Sequence, residues 1–230
     1  MTPRPRQLAF DLDFRAALGR EDFLVSPVNA AAVATIDDWE RWPQRAHAIA
    51  GPAGSGKSHL VEVWRSVSRA LRVDAAALAE NDVQAATEAG AIAVEDIDRG
   101  VGDERILFHL FNVAREGRLA LLITTRARPG EIEITLPDLR SRLRAVALTQ
   151  IEPPDEGLLR ALLVKLMADR QLEVAPKVIE YVMPRMERSA DAARRFVREL
   201  DRQALAARRV VTVHLAREVL DTLETLKPET

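Results

Sequence analysis

The sequence contains no cysteine, which excludes disulfides, a thiolate nucleophile and any zinc–thiolate site. Its four histidines, His47, His59, His109 and His214, lie too far apart to suggest a metal cluster. No apolar run approaches the ~20 residues that a membrane helix needs. The opening stretch, MTPRPRQLAFDLDF, carries two arginines, but Asp11 and Asp13 interrupt any run of signal-peptide length. Charge of one sign is lacking as well: a net charge of −2 gives no global attraction to nucleic acid, although a local basic face remains open. These absences lead to the expectation of a soluble, cytoplasmic protein without membrane contact or strong direct DNA binding. What is present is ordinary for a globular chain, 47% apolar and 30% charged residues over 230 positions. That length accommodates one domain, or one domain with a small appendage.

The polar, proline-spaced first dozen residues read as an extended arm. Ser26-Pro27 has the form of an N-cap followed by proline in the first helical turn, predicting a helix over residues 30–42 that ends before Pro43. Strand and helix patterns then alternate: strand 46–50, helix 57–71, weak strand 73–78, a helix capped by Asn81 and stopped at Gly90, strand 91–94, helix 103–115 stopped by Gly117, strand 119–124 and strand 146–148. Strands separated by helices predict an α/β fold, a parallel sheet with helices on both faces. At Glu152-Pro153-Pro154 the character changes. Four helices are predicted beyond it, over 155–170, 176–186, 190–207 and 214–226, the last capped by Thr212. The expected organisation is an arm over residues 1–19, an α/β domain over 20–151 and a small all-α domain over 152–230.

Between the first strand and the second helix stands GPAGSGKS, with Gly51, Gly56, Lys57 and Ser58 at the defining places of the phosphate-loop pattern and Pro52, Ala53, Gly54 and Ser55 between them. Glycine permits backbone conformations that turn successive N–H groups toward one phosphate at a helix N-terminus. Lys57 adds a mobile positive charge, and Ser58 offers a hydroxyl to Mg²⁺. The expected cofactors are ATP or ADP with Mg²⁺. Such a loop needs an acidic partner at the end of a neighbouring strand, and AIAVEDIDR provides one: Glu95 on the magnesium side, with Asp96 beside it to orient or deprotonate water. Asp98 is a weaker member of the same group. Thr125, ending LALLITT, is placed either to sense the γ-phosphate or simply to turn the chain. Arg140, Arg142 and Arg144 in LPDLRSRLR read as a solvated face, or as a source of one arginine that reaches phosphate across a subunit contact.

Taken in order, DFLVSPVNAAAV, GPAGSGKSHL, VEDID, ITTRARP, LRSRLR and the tail from PPDEGLLRALLVKL resemble an AAA+ ATPase of the DnaA type, and among those the short Hda-type regulators of the initiator. The resemblance spans residues ~20 to 228. It implies an AAA+ base with a helical lid, and it assigns roles by position. Arg142 matches the arginine finger that acts in trans, and Phe23, Val25 and Asn29 match the adenine-side wall. His59 follows the phosphate loop, and Arg194 is the lid arginine toward nucleotide, although Asp191 falls at the helix start and Arg195 stands next to it. Relatives carry aspartate where Glu95 stands, which implies that hydrolysis by the chain itself is weak or absent.

Within the arm, QLAFDL resembles the short peptides by which replication proteins dock on the sliding clamp, with the Gln7 amide hydrogen-bonded and Leu8, Phe10 and Leu12 entering a groove. The chain runs out at Thr230, directly after the lid, where initiators continue into a DNA-reading domain. The expectation is therefore a regulator rather than an initiator, a clamp-docked adaptor that supplies Arg142 to the nucleotide of a DnaA-type initiator. Alternatives are an oligomerising ATPase or loading factor that works on its own, a small-molecule kinase, and a DNA-binding protein acting through Arg194, Arg195, Arg198 and Arg202.

Overall fold

A computed structural model describes residues 24–207 and 210–225. Five strands, β1 (Ala46–Ala50), β2 (Leu71–Asp74), β3 (Ala91–Glu95), β4 (Ala120–Thr125) and β5 (Ala147–Gln150), form one parallel sheet in the order β2-β3-β4-β1-β5. The three central strands are buried at every position, whereas β2 and β5 alternate between half-buried and exposed residues. That contrast follows from position, since a central strand of a doubly covered sheet meets helices on both sides.

Each face has its own apolar cluster. On one side α1 (Ala30–Asp37) and α2 (Lys57–Ser68) pack on Ile49, Ala91, Ala93, Ala120 and Leu122. On the other, α3 (Glu80–Ala89), α4 (Glu104–Arg115) and α5 (Pro137–Ala145) pack on Ala48, Ile92, Val94, Leu121 and Ile123. Alternation along β3 therefore sends Glu95 to the α2 side, in step with Ala91 and Ala93.

Several elements differ from the sequence expectation. Helix α1 begins at Ala30 as expected, with Asn29 rather than Ser26 in the N-cap position, but stops at Asp37 instead of reaching residue 42. Trp42 is the reason: standing before Pro43, it is driven to extended backbone (φ −57°, ψ 134°). Its indole N–H bonds the Thr35 carbonyl at 2.8 Å, and its ring packs on Trp64 at 5.2 Å. The second strand occupies residues 71–74 rather than 73–78, because Asp74 accepts the Ala76 N–H and turns Ala75–Ala77 into a short 3₁₀ segment. The third helix starts at Glu80, its first turn tied by the Asp82 carboxylate to the Ala79 N–H, so Asn81 lies inside it. LPDLRSRLR is itself a helix, α5, with proline in its first turn.

Beyond residue 155 the chain is helical: α6 (Glu156–Ala168), α7 (Pro176–Val182), α8 (Ala190–Ala207) and α9 (Val213–Thr225). They enclose a third apolar cluster built on Leu159, Leu163, Val178, Phe196, Val197 and Leu215. The Thr212 hydroxyl caps α9 through the Leu215 N–H, as expected, and Asp155, expected inside α6, instead caps it through the Leu158 N–H. Among the described residues no helix is long and apolar enough to cross a membrane.

Candidate functional site

The phosphate-loop residues join β1 to α2, as the motif requires. Gly51 must be glycine, since a Cβ there would lie 2.7 Å from the Ile151 carbonyl oxygen. Gly54 has φ +70°, and a Cβ on it would stand 2.9 Å from Cβ of Ser189 in the lid. The Gly54 carbonyl accepts the Ala190 N–H at 3.0 Å, so the loop tip is bonded directly to the first turn of α8. Lys57 is only 6% exposed. Its ammonium donates to the loop's own carbonyls, Gly51 at 2.6 Å and Pro52 at 2.9 Å. Burial holds its pKa below the usual lysine value, with Asp96, Asp98 and Asp191 pulling it upward and Arg126 downward. The Ser55 hydroxyl is buried and finds no hydrogen-bond partner among the described residues.

The sheet order inserts β4 between the loop strand and the acidic strand, so the ends of β1, β4 and β3 stand side by side. Glu95, 6% exposed, accepts the Ser58 hydroxyl at 2.6 Å. Its other oxygen forms an ion pair with Arg72 of β2. Ser58 and Glu95 thus stand as the pair that would hold Mg²⁺, one hydroxyl and one carboxylate being the usual protein share of such a site beside substrate phosphates. Asp96 adopts left-handed backbone (φ +56°), a conformation uncommon outside glycine and tolerated best by Asn and Asp. Its N–H donates to the Thr124 hydroxyl at 3.1 Å, and its carboxylate lies 3.3 Å from Arg99. Thr125 is fully buried at the end of β4, its carbonyl bonded to the Gly51 N–H and its hydroxyl donating to Ala127 in the turn. The turn is tied further by the Arg126 N–H donating to Asp98 at 2.8 Å. Arg72 and Arg126 were not singled out from the sequence.

The three arginines of α5 separate by face. Arg140 bonds the Ile134 carbonyl and Arg144 packs against Gly130. Arg142 turns the other way, half-buried, its guanidinium 5.9 Å from the Phe108 ring centroid and 3.3 Å from the Asn112 side-chain oxygen on α4. Between loop and lid lies a narrow cavity of about 50 Å³ lined by Leu24, Asn29, Ser55, His59, Leu158 and Arg194. The Asn29 amide staples this edge, accepting from the Ser26 N–H and donating to the Leu24 carbonyl. Leu24, rather than Val25, lines the cavity; Val25 packs against the cluster under α1. Phe23 lies outside the described residues, as do Gln7, Leu8, Phe10 and Leu12. Arg194 reaches His59 (3.4 Å) and Asp191 (3.4 Å), while Arg195 faces Glu187 and Arg202 faces Glu199. Acidic neighbours thus break up the basic strip of α8, and Arg194 is the member that lines the cavity.

A phosphate loop on a five-stranded parallel sheet of this order, closed by a helical lid whose helix α8 touches the loop through its first turn, defines the AAA+ architecture. Residues 155–220 match the family model described as Hda, lid domain. Domain III of the Thermotoga maritima replication initiation protein DnaA superposes with a TM-score of 0.74 at 20% identity, over 90% of this chain and 96% of that one. AMPPCP-bound DnaA from Aquifex aeolicus gives 0.65 at 16% identity, over 81% and 68%. A RuvB variant from Thermotoga maritima gives 0.69 at 15% identity, over 92% and 73%. The base thus shares its fold with DnaA domain III, and the lid resembles the Hda lid over residues 155–220.

Proposed function

We propose that this chain is a nucleotide-binding regulator of chromosomal replication initiation, which docks on the DNA-loaded sliding clamp through residues 7–12 and promotes ATP hydrolysis by a DnaA-type initiator. The observation that carries this reading is the joining of an intact phosphate loop to an Hda-type lid in one chain. A fold shared with RuvB and DnaA alike does not choose between them, so the lid decides. DnaA structures with AMPPCP bound support ATP or ADP as the ligand. In this chain the loop N–H groups and Lys57 take the phosphates, and Ser55 gains its missing partner. Leu24, Asn29, His59 and Arg194 line the base side. Ser58 and Glu95 would hold Mg²⁺, which supplies charge neutralisation at the phosphates.

The cavity of about 50 Å³ is far below the ~300–1,000 Å³ of ordinary ligand pockets, so in this reading nucleotide binding is coupled to movement of the lid relative to the loop. Binding then reports on the lid angle, and the lid angle sets the face offered to a partner. Arg142, resting on Phe108 and Asn112, acts on nucleotide held by the initiator; an arginine supplied in this way is worth ~10³–10⁵ in rate. The chain's own hydrolysis is weak, because Asp96 is engaged by Arg99 and Glu95 by Arg72.

Initiator ATP turnover, measured with clamp loaded on DNA, tests the reading. The wild-type chain accelerates it and Arg142→Ala does not. Equal acceleration by both would sink the finger assignment. Steady hydrolysis by the purified chain without clamp or initiator, lost in Asp96→Ala, would favour the alternative of an oligomerising ATPase that works alone.

A further inference from the structure

Three carboxylates stand at the C-terminal end of β3 and just beyond it, and each is met by an arginine: Glu95 by Arg72, Asp96 by Arg99, Asp98 by Arg126. The Glu95 pair differs from the others. Asp96–Arg99 is a local contact three residues apart, and Asp98–Arg126 is a long contact at 3.9 Å in an exposed turn. Arg72 instead meets a carboxylate that is 8% exposed, across the sheet.

The register explains how it gets there. Asp74 pairs with Glu95 and Arg72 with Ala93, so Arg72, two residues before Asp74, projects from the same face as Glu95. That face is covered by α2, whose Glu62 accepts a second nitrogen of Arg72 at 2.9 Å and is itself held by Arg65. A chain of charges therefore runs from Arg65 through Glu62, Arg72 and Glu95 to the Ser58 hydroxyl. The guanidinium is fixed by two carboxylates, and a planar fork held in this way keeps its geometry better than an ammonium would.

We propose that Arg72 is a built-in counter-cation for Glu95, making nucleotide binding by this chain largely independent of divalent metal. The inference rests on the nucleotide-binding reading of residues 51–58. A dication entering beside Ser58 has to share Glu95 with a positive charge already on its other oxygen, and the attraction that would draw it in is offset by repulsion from Arg72. In exchange, the site starts with its acidic side compensated, so phosphates meet no bare carboxylate when metal is absent. Arg72 is thus a specificity-determining residue that acts through Glu95, not a group that touches the reacting atoms.

The test is the affinity of the full chain for a fluorescent ADP analogue, in excess Mg²⁺ and in excess EDTA. For the wild type the two values agree within ~3-fold, whereas Arg72→Gln, which exposes the Glu95 charge, binds at least ~10-fold more weakly in EDTA than in Mg²⁺. Arg72→Gln/Glu95→Gln removes both charges and returns the ratio to near the wild-type value, and Arg72→Lys keeps metal-free binding, so a mere loss of packing is told apart. A wild-type affinity that falls more than ~10-fold in EDTA overturns the inference while leaving the nucleotide reading intact. An Arg72→Gln ratio equal to that of the wild type overturns it as well. No binding in either buffer, unchanged in Lys57→Ala, overturns the nucleotide reading and this inference with it.

Discussion

Replacing Gly54 by alanine is expected to loosen the lid from the base. The position has φ +70°, where an L residue costs ~1–2 kcal/mol. The new methyl would stand 2.9 Å from Cβ of Ser189 and 3.2 Å from the Asp191 nitrogen, the first turn of α8. Neither neighbour is the far end of a flexible side chain, and forcing a methyl into a filled space costs a further ~1–3 kcal/mol. Together these give ~2–5 kcal/mol, or roughly 4–20 °C in Tm for a protein of this size. Gly90 supplies the internal control. It has φ +76° at the end of α3 but nothing within 4 Å of an added Cβ, so Gly90→Ala carries the backbone cost alone. Thermal unfolding of both variants, with Ser189→Gly as a third and Gly54→Ala/Ser189→Gly as a fourth, isolates the contact. Glycine at 189 removes the obstructing carbon while remaining acceptable as an N-cap, so the double variant should recover most of the excess. If Gly54→Ala is no more destabilising than Gly90→Ala, the loop tip does not bear on the lid and the coupling described above is wrong.

Four other outcomes are expected. Burial lowers the His47 pKa from its usual 6.5 to about 4, so the unfolded chain binds the extra proton first on acidification: stability is full above pH ~6.5, falls by at most ~3 kcal/mol toward pH ~4 and is flat below. Urea midpoints across that range should show the slope, and His47→Gln should lose it. Arg194→Ala should weaken nucleotide binding by ~10-fold or more, whereas Arg195→Ala, whose partner is Glu187 on the surface, should leave it within ~2-fold in the same titration. Lys57→Ala should abolish binding with little loss of fold, since among the described residues its ammonium donates to loop carbonyls. A clamp pull-down with Gln7→Ala/Leu12→Ala should lose the retention shown by the full chain, and equal retention of both would remove the arm from the proposed function.

The phosphate loop, the strand-end acids, the helical lid and the cap at Thr212 were all legible in the sequence because each is a local pattern: glycine where the backbone must bend, apolar runs where strands are buried, a capping residue where a helix begins. The end of α1 was less so, since it is set by where Trp42 packs. Likewise a four-residue edge strand such as β2 has too short an alternation to be placed from sequence alone.

Composition and motif order by themselves determined the class of protein, an α/β phosphate-loop base with an all-α lid, and named Glu95, Lys57 and Ser58 as a set. Tertiary structure decided which arginine does what. Arg194 and Arg195 are adjacent in sequence, yet helical geometry turns only Arg194 into the cavity beside His59. Arg140, Arg142 and Arg144 split between two faces of α5. Arg72 and Glu95 are 23 residues apart, and only the register of β2 on β3 brings their charges together. Charge acts through space and not along the chain, so the partner of the acidic site could be read only once the sheet had been assembled.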